Sequence, residues 1–147
     1  LNFLLVDDDD LCLFIHRRVL DLTGYCKSTH VATNGKKAID FLRDAADGSV
    51  PIPDLILLDL DMPLMNGIAF LEAFKSLERL DRSRIAIVLL SSSICQHEKE
   101  LAIALGAVTC ISKPLTESAL SDAIRFIEEK KPVPSLVPID TRKNHKR

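Results

Sequence analysis

The chain has 147 residues, of which 47% are hydrophobic and 27% charged, and its formal net charge is −2. This length suits one domain with a full core and is too short for two. The near-neutral balance argues against a nucleic-acid-binding chain and against an acidic disordered one. The charge is nevertheless uneven, because residues 7–10 are four consecutive aspartates and residues 132–147 hold four basic residues against one acid.

The cysteines and the apolar stretches bear on the cellular compartment. The four cysteines are scattered, with no Cys-x-x-Cys pair and no histidine at zinc-finger spacing, which argues against a zinc site or a redox motif. No apolar stretch approaches the roughly 20 residues that cross a bilayer, and no signal peptide is visible. We therefore expect a cytoplasmic protein that does not associate with membranes.

Short apolar runs alternate with helical patterns along the chain. In chain order the runs lie at residues 3–6, 26–32, 55–58, 85–90 and 108–111, and the second is more polar than the others. Continuous hydrophobicity over four to six residues is typical of a strand buried on both faces of a parallel sheet. The chain therefore contains five predicted strands.

Apolar residues at helical spacing follow each predicted strand, and Thr116 is a candidate N-cap of the last helix. The predicted buried stripes are Leu11, Ile15, the stem of Arg18 and Leu22 in the first helix; Ala38, Phe41, Leu42 and Ala45 in the second; Ile68, Leu71, Phe74 and Leu77 in the third; Leu101, Ala104 and Leu105 in the fourth; and Leu120, Ala123, Ile124 and Ile127 in the fifth.

Five strand–helix units predict an α/β fold in three layers. Right-handed crossovers would give a doubly wound, five-stranded parallel sheet with helices on both faces. The pattern stops after Lys131, and the closely spaced Pro132, Pro134 and Pro138 disfavour a further helix. We expect one domain over residues 1–131 and a flexible basic tail over residues 132–147.

Polar side chains follow four of the predicted strands. Because ligands bind at the carboxyl ends of the strands in an open parallel sheet, we expect these side chains to lie at one edge. They are Asp7 and Asp8 after the first strand, Asp59 and Asp61 after the third, Ser91 after the fourth and Lys113 after the fifth. Asp9 and Asp10 fit a simpler role in the first turn of a helix, where the helix dipole favours acids.

This combination of groups indicates a metal and phosphoryl site. Converging carboxylates form an oxygen-only site that suits a hard cation such as Mg²⁺, which commonly bridges a phosphate. A phosphoryl group also needs a cation and a hydroxyl donor, which Lys113 and Ser91 would supply. A carboxylate such as Asp59 can itself be the nucleophile and form an aspartyl phosphate.

Three motifs, in this order, resemble the response-regulator receiver domain of two-component signalling over roughly residues 2–131. They are Leu4-Leu-Val-Asp-Asp-Asp9, the segment 53–67 that contains Leu57-Leu-Asp-Leu-Asp61 and ends at Gly67, and Ile111-Ser-Lys-Pro114, with a serine run after the fourth strand. The resemblance implies the CheY-like, flavodoxin-like strand order 2-1-3-4-5.

The resemblance also implies a role for each matching residue. Asp59 would be the phosphoacceptor, Asp8 and Asp59 would bind Mg²⁺ with the backbone carbonyl of Asp61, Asp7 would complete the acid pocket directly or through water, Lys113 would contact the phosphoryl group, and Ser91 would be the switch hydroxyl. The Lys113–Pro114 bond would be cis. The chain departs from the family at Cys110, where Tyr or Phe is usual.

The function expected from this resemblance is that of a single-domain response regulator. It would accept a phosphoryl group from a sensor histidine kinase or a histidine phosphotransfer protein and would act on a downstream protein. It would not be an enzyme beyond its own phosphorylation and dephosphorylation. Residues 132–147 cannot form a helix-turn-helix, so we expect no DNA-binding domain in this chain.

Two alternatives remain open at this stage. Asp59-x-Asp61 after an apolar run also fits the nucleophile motif of haloacid-dehalogenase-type phosphatases, although that motif normally opens the chain. The other alternative is a receiver-like module that binds partners without being phosphorylated.

Overall fold

The computed structural model describes residues 1–60, 62, 65–92 and 95–130, so the expected tail, residues 132–147, lies outside the described residues. A short 3-10 turn, Arg82–Arg84, precedes the fourth strand. Five strands alternate with five helices: β1 Asn2–Val6, α1 Asp10–Thr23, β2 Ser28–Ala32, α2 Gly35–Ala46, β3 Leu55–Asp59, α3 Gly67–Lys75, β4 Ala86–Ser91, α4 Gln96–Ala104, β5 Thr109–Ser112 and α5 Glu117–Lys130.

The five strands form one parallel sheet in the order β2-β1-β3-β4-β5. This confirms the predicted order 2-1-3-4-5. Val6 pairs with Ala32 on one side and Leu58 on the other, and Asp59 pairs with Leu90. The carboxyl ends of the three central strands therefore finish at nearly the same level.

The sheet separates two layers of core. Along β3, Ile56 and Leu58 face a cluster with α2, α3 and α4, whereas Leu55 and Leu57 face a cluster with α1 and α5. All five residues of β3 are buried, as the continuous apolar run predicted. Each such leucine or isoleucine stabilises the fold by about 1.5–3 kcal/mol through burial.

The predicted faces of α2 and α5 are confirmed. Ala38, Leu42 and Ala45 are buried on α2, and the four predicted residues of α5 are all buried in the α1–α5 layer. Thr116 caps α5, since its hydroxyl oxygen accepts the backbone N–H of Ala119 at 3.2 Å. Within the described ranges, each helix is too short or too polar to cross a bilayer.

The predicted face of α1 is wrong. Leu11 and Leu22 are 67% and 60% exposed. The carboxylate of Asp9 caps the helix by accepting the N–H groups of Leu11 and Cys12. Because apolar residues occur on both faces of this helix, their spacing alone did not identify the packed one. The buried residues are Leu13, His16, Val19 and Leu20.

The predicted face of α4 is right only at Leu105, the C-cap residue, which is partly buried against the core. Leu101 is 39% exposed and Ala104 is exposed, whereas Ala102 is fully buried. Helix α4 is nine residues long and begins after Cys95, whose thiol accepts the N–H of Glu98. A helix with one fully buried alanine needs little apolar periodicity, so its sequence pattern was a weak guide.

Candidate functional site

The predicted site residues that the structure describes meet at the carboxyl edge of the sheet. Asp7 follows β1, Asp59 is the last residue of β3, and Ser91 is the last residue of β4. Lys113 follows β5 and is 106 residues from Asp7 along the chain. All of them lie near the point between β1 and β3 where the strand order reverses, which is the usual ligand position in this architecture.

Lys113 joins the two buried carboxylates of this edge. Its Nζ donates to Oδ2 of Asp7 at 3.0 Å and to Oδ1 of Asp59 at 3.1 Å. Asp7 is 2% exposed and Asp59 is 6% exposed. Buried carboxylates are costly without a partner, so the ammonium group offsets their mutual repulsion and fixes their separation.

The environment of Lys113 keeps its charge. Burial lowers the pKa of Lys113, but the hydrogen bonds and charges of Asp7 and Asp59 more than compensate, and the net pKa is raised. The side chain is therefore an ammonium ion at neutral pH. A positive charge held at this position can bind an anionic oxygen.

The turn after β1 orients Asp7. The backbone N–H of Asp7 donates to the carbonyl of Ala32 at 3.1 Å, and Oδ1 of Asp7 accepts the N–H of Asp9 at 2.9 Å. One carboxylate oxygen thus holds the turn while the other holds Lys113. This is the local reason for an aspartate directly after the buried apolar run 3–6 of β1.

Three carboxylates are close enough to hold a metal ion together. One oxygen from each of Asp7, Asp8 and Asp59 lies within 4.8 Å of the others, and Asp8 is the exposed member. An all-oxygen set of this kind fits a hard cation such as Mg²⁺. Asp61, whose backbone carbonyl was expected to complete the set, lies outside the described residues.

Ser91 connects the end of β4 to Lys113. The residue is 3% exposed, and its backbone carbonyl accepts the N–H of Lys113 at 2.9 Å. The peptide bond between Lys113 and Pro114 is cis, as the resemblance implied. A movement of the Ser91 backbone would therefore displace the backbone of Lys113 through this hydrogen bond.

Two residues of α1 border the site although the sequence patterns did not predict a role for them there. Sγ of Cys12 lies 3.9 Å from Nζ of Lys113, and the buried His16 lines the same cleft of about 420 Å³ together with Ser92. Cys12 and His16 are one turn apart, so the helix spacing after the aspartate run could have indicated that they share a face. Burial raises the pKa of the Cys12 thiol, although Lys113 opposes this.

Cys110 occupies the β5 position where the resemblance leads one to expect an aromatic ring. Its side chain is partly buried and packs against the α2–α3–α4 layer of the core. A groove of about 290 Å³ between β5 and α5 opens beside it, bordered by Ile111 and Phe126. A thiol has no ring to rotate, so Cys110 cannot move between buried and exposed positions as an aromatic side chain can.

The parallel sheet with an acid pocket and a lysine at its switch point defines a flavodoxin-like α/β domain whose three converging carboxylates could hold a cation. Residues 3–125 match the family described as the response regulator receiver domain. The chain belongs to this family.

Individual relatives agree with the family match. The chain is 37% identical over 121 residues to two-component response regulator 24 of Arabidopsis thaliana, covering 82% of this chain and 78% of that protein. It is 35% identical over 116 residues to a protein-glutamate methylesterase/protein-glutamine glutaminase of Treponema denticola, covering 78% of this chain but 28% of that protein. The activity in the second name therefore belongs to a much longer protein.

Solved structures show the same fold. A two-component response regulator from Cytophaga hutchinsonii superimposes with a TM-score of 0.79 at 28% identity, covering 88% of this chain and 97% of that chain. The CheY-like topology predicted from the sequence is thus found in a relative of similar length.

Proposed function

We propose that this receiver domain accepts a phosphoryl group on Asp59 from a phosphohistidine of a sensor histidine kinase or histidine phosphotransfer protein. The observation that supports this most strongly is the contact of Lys113 Nζ with Oδ1 of Asp59 at 3.1 Å inside a buried acid pocket. A lysine held there is placed to meet the oxygens of a phosphoryl group bonded to Asp59.

The transfer would be an exchange of one bond to phosphorus for another. A carboxylate oxygen of Asp59 attacks the phosphorus, the new O–P bond forms, and the bond from phosphorus to the donor nitrogen breaks with its electron pair leaving on the donor. Lys113 exchanges part of its contact with Asp59 for a contact with a phosphoryl oxygen. The hydroxyl of Ser91 donates to another oxygen and draws the end of β4 with it.

A magnesium ion would be held by Asp7, Asp8 and Asp59, whose oxygens already converge. When bound, it supplies positive charge that neutralises the phosphoryl oxygens. The carboxylate of Asp8, being exposed, is the member of this set that solvent reaches most easily. We also propose that the backbone carbonyl of Asp61 contributes to the same site.

The remaining expectations follow from this role. The chain would act in the cytoplasm, would pass its signal to a downstream protein and would be no enzyme beyond turning over its own phosphoryl group. Residues 1–131 would form the receiver domain and residues 132–147 a basic tail outside it.

Intact-mass measurement with acetyl phosphate and Mg²⁺ tests the proposal. We expect one added phosphoryl group per chain, which EDTA prevents. Folded protein that binds Mg²⁺ and acquires no phosphoryl group would support the non-phosphorylated interaction module. Sustained hydrolysis of a small phosphate ester would support the phosphatase instead.

A further inference from the structure

A glycine at the start of α2 allows an unusually close contact with the segment that follows Asp59. Gly35 is buried, and a Cβ atom there would lie 2.7 Å from the backbone oxygen of Met65, 2.8 Å from its Cγ and 2.9 Å from its Cβ. The positive φ angles of this chain's glycines occur at other positions. Close approach, and not backbone conformation, therefore requires glycine at residue 35.

Met65 belongs to the segment between Asp59 and α3, of which the structure describes Leu60, Met62, Met65 and Asn66; we call these four residues the acceptor loop. The loop is closed at its base, where the N–H of Gly67 donates to the carbonyl of Leu60 at 2.8 Å. A Cβ atom on Gly67 would lie 3.0 Å from the backbone oxygen of Asp59. The two ends of the loop thus lie directly against the residue that we propose accepts the phosphoryl group.

A side chain at residue 35 would move the loop more readily than the helix. Helix α2 is anchored by five buried residues, whereas Met65 is only partly buried. Ordinary van der Waals contact begins at 3.4 Å, so the backbone of Met65 would shift by several tenths of an ångström. Leu60 and Met62 are buried in the core cluster against which Met65 packs, and Gly67, two residues after Met65, is hydrogen-bonded to Leu60, so a shift of Met65 acts on contacts next to Asp59.

We infer that Gly35 is a positioning residue for the phosphorylation site: by admitting Met65 against α2, it fixes the acceptor loop and through it the carboxylate of Asp59. This inference rests on the proposed function. Gly35 acts through Met65 and touches neither the metal nor the phosphoryl group. Mutation of residues that support metal ligands typically weakens metal binding about 10- to 100-fold, and we expect the lower end of this range for a residue that acts through Met65.

The test compares Gly35→Ala with Gly48→Ala. Gly48 has φ +87°, and a Cβ atom there would have nothing within 4 Å, so its alanine variant carries backbone strain without touching the loop. We expect Gly35→Ala to bind Mg²⁺ about tenfold more weakly by calorimetry and to take up the phosphoryl group more slowly. Gly48→Ala should lose thermal stability and keep the Mg²⁺ affinity of the wild type.

A second variant, Met65→Gly, loosens the same contact without adding bulk and is used if Gly35→Ala does not fold. We expect it to weaken Mg²⁺ binding in the same direction. Mg²⁺ affinity and phosphorylation rate within about twofold of the wild type would overturn the inference. A wild-type protein that takes up no phosphoryl group would instead overturn the proposed function, so the two failures are distinguishable.

Discussion

The ammonium nitrogen of Lys113 lies 3.1 Å from Oδ1 of Asp59, although 54 residues separate the two along the chain. The same nitrogen lies 3.0 Å from Oδ2 of Asp7. One cation thus holds together two buried carboxylates whose mutual repulsion would otherwise drive them apart. The arrangement ties the stability of the domain to the chemistry of its acid pocket.

Removal of this cation should destabilise the fold. In EDTA, Lys113→Met leaves two buried carboxylates facing each other, and we expect a loss of about 3 kcal/mol in the free energy of unfolding, measured in urea. Lys36→Met is the control, since its ion pair with Asp40 is exposed and contributes at most about 1 kcal/mol. Equal stability of the two variants would show that Lys113 does not hold the pocket together.

Magnesium should stabilise the folded protein through Asp8. A ligand that binds only the folded state raises the midpoint temperature of thermal unfolding. At a concentration of 100 times its dissociation constant, it adds about 2.7 kcal/mol to the free energy of unfolding. We expect Asp8→Asn to lose most of this Mg²⁺-dependent shift. Asp10→Asn, an exposed acid in the first turn of α1, should retain it. A full shift in Asp8→Asn would exclude this carboxylate as a ligand.

The buried imidazole of His16 should make stability depend on pH. Burial lowers its pKa below 6.5, Asp7 and Asp9 oppose this, and Lys113 reinforces it. The unfolded chain therefore takes up a proton on His16 near pH 6.5, whereas the folded chain takes it up only at lower pH. The contribution of neutral His16 to the free energy of unfolding is complete above about pH 6.5 and is lost as the pH falls below it.

His16→Leu tests this dependence. Between about pH 7.5 and pH 5.5 we expect the variant to lose less unfolding free energy in urea than the wild type. His97→Asn, on the exposed surface of α4, serves as the control and should follow the wild type. An unchanged pH dependence in His16→Leu would contradict the prediction.

Two phenylalanines should respond very differently to truncation. Phe70 is fully buried and stacks with Phe74 at a centroid distance of 6.1 Å. We expect Phe70→Ala to cost about 3–5 kcal/mol in the free energy of unfolding. Phe14 is 64% exposed, so Phe14→Ala should change it by no more than about 0.5 kcal/mol. Urea unfolding measures both values.

Buried strands were predictable because a strand covered on both faces needs nearly every residue to be apolar. Leu55, Ile56, Leu57 and Leu58 satisfy this, and Asp59 at their end was therefore conspicuous. The strand order followed from the resemblance. The edge at which the polar residues meet followed from the general position of ligands in parallel sheets.

Other features depend on contacts that no local pattern records. Helix α1 has apolar residues on both faces, so their spacing did not identify the side that packs against the sheet. The contact of Cys12 with Lys113 joins residues 101 positions apart. The approach of Met65 to Gly35 likewise joins two residues that are distant along the chain.

The assignment of the phosphoacceptor is tested most directly by two neighbouring substitutions. Wild type, Asp59→Asn and Asp61→Asn are each incubated with acetyl phosphate and Mg²⁺, and their intact masses are measured. We expect a phosphoryl adduct on wild type and on Asp61→Asn and none on folded Asp59→Asn. A stoichiometric adduct on Asp59→Asn would contradict the account, because another residue would then be the acceptor.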